Sequence, residues 1–183
     1  MVVTGMAPAG GIFDALAVLL GFAGVAKLIR PAGVTAALDR LHPPGWNVLG
    51  QWPVARILGG AEVVVAVAAL SAGGRAWAIV LTVFYLSFTL VAWRLSAGPA
   101  TDCGCFGAPS SPMNRTHVIV DAVLTVAAAA TVVLPPAPLA ERLDTPAQAV
   151  AHVLVVALLV AVGFLAFTVL PALVDARKAI EAR

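Results

Sequence analysis

Charge is what this chain has least of. Asp, Glu, Lys and Arg make up 11% of its 183 residues, less than half the share of about 25% usual in soluble domains. The net charge of +2 is spread along the chain, and no cluster of Lys and Arg offers the basic footprint that nucleic acid requires. Nucleic acid is therefore not a partner. The first ten residues, MVVTGMAPAG, hold neither Lys nor Arg. They lack the basic n-region of a secretory signal, so the apolar run behind them is read as a retained span. Cysteine is nearly absent too, with two in the chain.

What the chain has in excess is apolar residues, 61% of the total. They stand in uninterrupted runs, and about 20 such residues cross a bilayer as a helix. Five spans are predicted at about 11–29, 53–71, 75–95, 116–134 and 147–171, and the chain reads as an integral membrane protein. Pro31 stops the first span, Ala72-Gly73-Gly74 ends the second, and the run of prolines from Pro135 ends the fourth. Pro171 marks a kink or an exit near the end of the fifth, and a charged tail, 175–183, follows. Backbone groups in hydrocarbon must bond within their own segment, so these runs are helices. Transmembrane strands would be about ten residues long with alternating polarity, a pattern missing here. The fold class is all-α, a single membrane domain over 1–183. Small residues within the spans, Gly21 and Gly24 or Gly59 and Gly60, allow helices to approach closely. The first loop, 30–52, has room for a short interfacial helix, and Trp46, Trp52, Trp77 and Trp93 suit the headgroup region.

Both cysteines lie in the third loop, within TDCGCFGAPSSP at 101–112. A disulfide needs Cα atoms about 4.4–6.8 Å apart. Residues 103 and 105 meet that only if the backbone bends at Gly104. So short a link removes little chain entropy and adds little stability, whereas a strained bridge is readily exchanged. Cys103 and Cys105 are thus read first as a redox pair. Two other readings stay open: incidental thiols, and a soft-metal site of the kind that two thiolates offer Cu(I). The four ligands of a zinc site are not assembled, and no metal ligand is assigned. The start of the next helix and Arg115 favour a thiolate. Asp102 opposes one, and two readings of it stay open: a relay for the protons that dithiol oxidation releases, or a solvated capping or turn aspartate.

Four ionisable residues, Asp14, Lys27, Glu62 and Asp121, fall inside spans or near their ends, where such groups are costly and face a partner or a cavity. Glu62 is the deepest. An ion pair with Lys27 is one reading, and a polar pocket able to take a quinone headgroup or pass protons is the other. Lys27 has the alternative of reaching the interface. Asp121 is expected to line the same pocket, with His117 on a different face of that helix, and His152 is expected at the membrane surface.

Three stretches together resemble a family. AGVAKL at 23–28, GGAEVVV at 59–65 and DCGCFG at 102–107 look like the MauE-type branch of the MauE/DoxX membrane proteins. In that pattern Gly24 and Lys27 stand in helix one, Glu62 in helix two and the Cys-Gly-Cys loop after helix three, with Asn114 and Arg115 before the next helix. The resemblance covers about 12–134 and implies a four-helix core to which the fifth helix is added. It also implies a multi-pass protein of the bacterial plasma membrane that takes part in thiol–disulfide exchange. Its partner would be a thioredoxin-like protein or a disulfide-bearing client, with no bound cofactor and a quinone as the conjectured redox partner. Cys103, Cys105 and Asp102 would then be the reacting group, and Lys27 and Glu62 the polar pocket. A non-catalytic assembly factor for a redox enzyme, as in methylamine utilisation, or a Cu(I)-handling protein are the alternatives. Nine of the eleven Lys and Arg residues fall on the cysteine-loop side, leaving only Arg75 and Arg142 opposite. That count alone would make the loop cytoplasmic. The family role puts it outside, which is the reading taken.

Overall fold

The computed structural model of the chain describes residues 8–41, 52–97, 115–143 and 145–181. Among these, every element is helical: α1 (Pro8–Ile29), α2 (Ala32–Leu41), α3 (Trp52–Ala72), α4 (Gly74–Ser96), α5 (Arg115–Val133), α6 (Leu139–Arg142) and α7 (Pro146–Glu181). Five of them, α1, α3, α4, α5 and α7, are long and apolar enough to cross a membrane. Their outward faces carry residues such as Ile57, Val64, Val126 and Leu158, all exposed. That is the expected surface of a bundle solvated by lipid, where no aqueous phase penalises it.

The spans end where the sequence breaks them. Proline lacks the N–H that the helix ladder needs, so α1 stops before Pro31. The carbonyl of Pro31 then accepts from the Thr35 N–H at 3.0 Å as α2 begins. Between α3 and α4 the chain turns within Gly73 and Gly74, at φ of 58° and 85°, a region that glycine alone enters without strain. Gly74 N–H donates to the Pro136 carbonyl at 2.7 Å, so this turn rests on the proline segment that follows α5. The fifth span closes at Val174, just past Pro171, while α7 itself runs on to Glu181. Proline is tolerated in membrane helices, and here Pro171 is fully buried.

Helix α1 is the hub. It is the most buried span and packs against α2, α3, α4, α5 and α7. Its tightest partner is α3, to which it runs antiparallel, Gly21 meeting Ala66 and Gly24 meeting Gly59. At the second crossing the two glycines face each other. A Cβ on Gly24 would stand 2.6 Å from the Gly59 carbonyl oxygen, and one on Gly59 2.7 Å from that of Gly24. Helices α4 and α5 form the other close pair, tied by a hydrogen bond of 2.9 Å between the Thr89 and Thr125 hydroxyls. Tyr85 links the pairs by donating its hydroxyl to the Leu16 carbonyl at 2.7 Å. Beneath these contacts lies a core of Phe13, Ala17, Leu20, Ala69, Ala78 and Leu81.

The crossing makes a sharp comparison. Gly24→Ala should lower stability in detergent by about 1–3 kcal/mol, because backbone must give way. Gly60→Ala, whose Cβ meets nothing within 4 Å, should leave stability unchanged or raise it by up to about 1 kcal/mol through helix propensity. Thermal midpoints of the two variants check both.

Candidate functional site

The glycine crossing brings Lys27 to Glu62. With no side chains at positions 24 and 59 the backbones close up, and the Lys27 Cβ lies 3.0 Å from where a Gly59 Cβ would be. Side chains on a helix slant toward its N-terminus. Lys27, although only two residues from the end of α1, therefore points back into the bundle and does not reach the interface. Its Nζ donates to Glu62 Oε2 at 2.7 Å. Lys27 is 4% exposed and Glu62 0%. The Phe88 ring of α4 covers the ammonium, with its centroid 5.1 Å from Nζ, an arrangement that stabilises a cation by its π face.

Asp121 of α5 completes the group. It is 3% exposed and lies six residues into α5, about 9 Å along the helix. Its Oδ2 and Oε1 of Glu62 have no hydrogen-bond partner among the described residues. Lys27, Asp121, Tyr85 and Phe88 line a cavity of about 100 Å³ that is otherwise apolar. His117 was expected on a different face of the helix from Asp121. The two are four residues apart, however, which is one helical turn, and both are buried.

A second polar group sits toward the other end of α1. Asp14 is held in a fork by Arg142 of α6, Nη1 to Oδ2 at 3.0 Å and Nη2 to Oδ1 at 2.9 Å. His152 Nε2 of α7 lies 2.6 Å from Asp14 Oδ2. His152 is therefore not the surface histidine expected, but is buried against α1. Sequence reasoning marked Asp14 and missed its partners, which lie 128 and 138 residues away. The one available signal was that Arg142 and His152 flank the start of the last span, while Asp14 lies near the start of the first. Beside this group, α1 and α7 leave an apolar groove of about 880 Å³ that Asp14 and His152 border.

Of the expected site residues, Lys27 and Glu62 are brought together. Cys103, Cys105 and Asp102 lie outside the described residues, as does Asn114. Arg115 begins α5 and is exposed. No group of three or more His, Cys, Asp or Glu suited to a metal ion occurs among the described residues.

Five lipid-facing helices closed around a buried ammonium–carboxylate pair define a multi-pass, all-α membrane bundle. More particularly, the family model described as methylamine utilisation protein MauE matches residues 7–134, and the chain belongs to that family. The match spans α1 to α5 and leaves α6 and α7 beyond it. No curated protein and no solved structure matches the chain.

The pair itself is open to test. Breaking a buried pair from one side strands a charge and costs about 3–5 kcal/mol, whereas an apolar replacement of both partners is often neutral. Glu62→Leu alone should thus destabilise strongly, and adding Lys27→Met should restore most of the loss. Unfolding of the two single variants and the double variant in detergent gives the coupling directly.

Proposed function

We propose that this MauE-family protein carries out thiol–disulfide exchange through Cys103 and Cys105 on the outer side of a bacterial plasma membrane, supporting disulfide formation in an extracytoplasmic client. One observation carries the reading: the only two thiols of the chain flank a single glycine, in a chain that belongs to this family. Such closely spaced pairs form strained, oxidising disulfides, and a structural clip of that length would add little.

The exchange balances with the disulfide of a thioredoxin-like protein as its oxidant. A client thiolate attacks one sulfur of the Cys103–Cys105 disulfide; that S–S bond breaks, and the displaced thiolate takes up a proton. A second client thiolate then attacks the client's own sulfur in the mixed disulfide. The client leaves as a disulfide, and Cys103 and Cys105 remain as two thiols. Two electrons and two protons have passed from client to chain. A thioredoxin-like protein in its disulfide form returns the pair to the oxidised state by the same two steps. Asp102, beside Cys103, is assigned the proton handling at the attacked sulfur.

The quinone conjectured for Lys27 and Glu62 meets a limit of size. Small-molecule pockets begin at about 300 Å³, and the cavity that the described residues line beside Lys27 is about 100 Å³. The residues described there do not fit such a headgroup, and the cycle is complete without it.

Cys103→Ser and Cys105→Ser should each abolish exchange with a thioredoxin-like disulfide while leaving the helical circular dichroism unchanged. Trapping one mixed disulfide with either single variant would add direct support. Normal exchange by both would contradict the proposal and favour a non-catalytic assembly role.

A further inference from the structure

The Lys27 site contains one carboxylate more than an ion pair uses. Lys27 and Glu62 neutralise each other at 2.7 Å, yet Asp121 is buried within electrostatic reach of the same ammonium. With all three ionised, the three side chains would carry a net negative charge inside a membrane span, where ionised groups are costly. Among the described residues that line the cavity, Lys27 is the one Lys or Arg. From α1 the cluster receives Lys27 and from α3 Glu62. Helix α4 contributes Tyr85, whose hydroxyl is committed to the Leu16 carbonyl, and the Phe88 ring. Helix α5 brings His117 and Asp121, and α7 reaches the cavity with the apolar Phe167. Helix α2 lines the cavity with Val34, Ala37, Leu38 and Leu41, while its charged Asp39 and Arg40 are exposed.

We propose that Asp121, Lys27 and Glu62 form a buried proton-binding site that holds one exchangeable proton on Asp121. Two features of the geometry support it. Glu62 Oε1 and Asp121 Oδ2 are both buried without a partner among the described residues, and a protonated carboxyl becomes a donor as well as an acceptor. Asp121 also opens on the cavity of about 100 Å³, more than the roughly 10–15 Å³ that a single water needs. A water in it would find the Asp121 carboxyl and the Lys27 ammonium among the lining groups. His117 lies one turn nearer the start of α5 and is also buried. The proposed proton site is built from described residues alone and goes beyond thiol exchange.

Infrared spectroscopy of the whole protein in lipid bilayers tests it. The expected result is one carbonyl stretch of a protonated carboxyl at neutral pH that shifts in D₂O. It should move when aspartate is ¹³C-labelled, stay when glutamate is, and vanish in Asp121→Asn. Labelling reads the wild-type protein, so the test stands even if that variant folds poorly. Absence of the band in the folded wild type, a band that moves with glutamate label, or one that survives in Asp121→Asn would each overturn the assignment. Because Cys103→Ser and Cys105→Ser are read by exchange alone, failure of either proposal is recognised separately.

Discussion

One ammonium and one carboxylate buried side by side in hydrocarbon constrain the rest of this bundle. Neither charge is tolerable there alone, so the helices that carry them must meet at one height and stay together. Two facing glycines provide the approach: Gly24 and Gly59 leave no room for a Cβ on either helix. The same approach makes α1 the centre of the molecule, because a helix fixed against α3 on one face still presents Tyr85 and Phe88 of α4 with a carbonyl and an ammonium on the other. Small residues, an ion pair and a cation–π contact are thus parts of a single arrangement.

The second polar group uses the same means for a different task. Asp14 gathers Arg142 and His152 and so ties the segments beyond the family match, α6 and α7, to the hub. Among the described residues, the buried ionisable groups in contact with α1 lie toward its two ends. Lys27, Glu62 and Asp121 belong toward the end where α1 gives way to α2, and Asp14 with its partners toward the start of α1. Since Lys27 is taken up by Glu62, and Arg142 by Asp14, neither acts as a free loop charge in setting orientation. Leaving both out turns nine against two into eight against one, so the count still leans to the cysteine-loop side.

The spans were legible because hydropathy is local: each run of about twenty apolar residues declares itself, and proline or glycine closes it. The Lys27–Glu62 pair was legible as one of two readings, since two opposite charges in neighbouring spans have few other options. What the sequence could not display is pairing across the chain. His152 looked like a surface residue because Asp14 is far from it in sequence. At Pro171 the sequence left a kink and an exit both open, since proline normally ends a helix in water, and the helix continues through it. His117 and Asp121 share a face by spacing alone, so that placement was available and was misread. The cysteine pair was legible as chemistry and as a family motif.

The central claim is that Cys103 and Cys105 cycle as a disulfide outside the cytoplasm. Its most direct test is the redox state of the two residues in intact cells. A membrane-impermeant thiol reagent, applied with and without prior reduction, would be read by quantitative mass spectrometry. The account predicts a reducible disulfide whose thiols are labelled from outside once reduced. Thiols found already reduced, and labelled only after the cells are lysed, would contradict it.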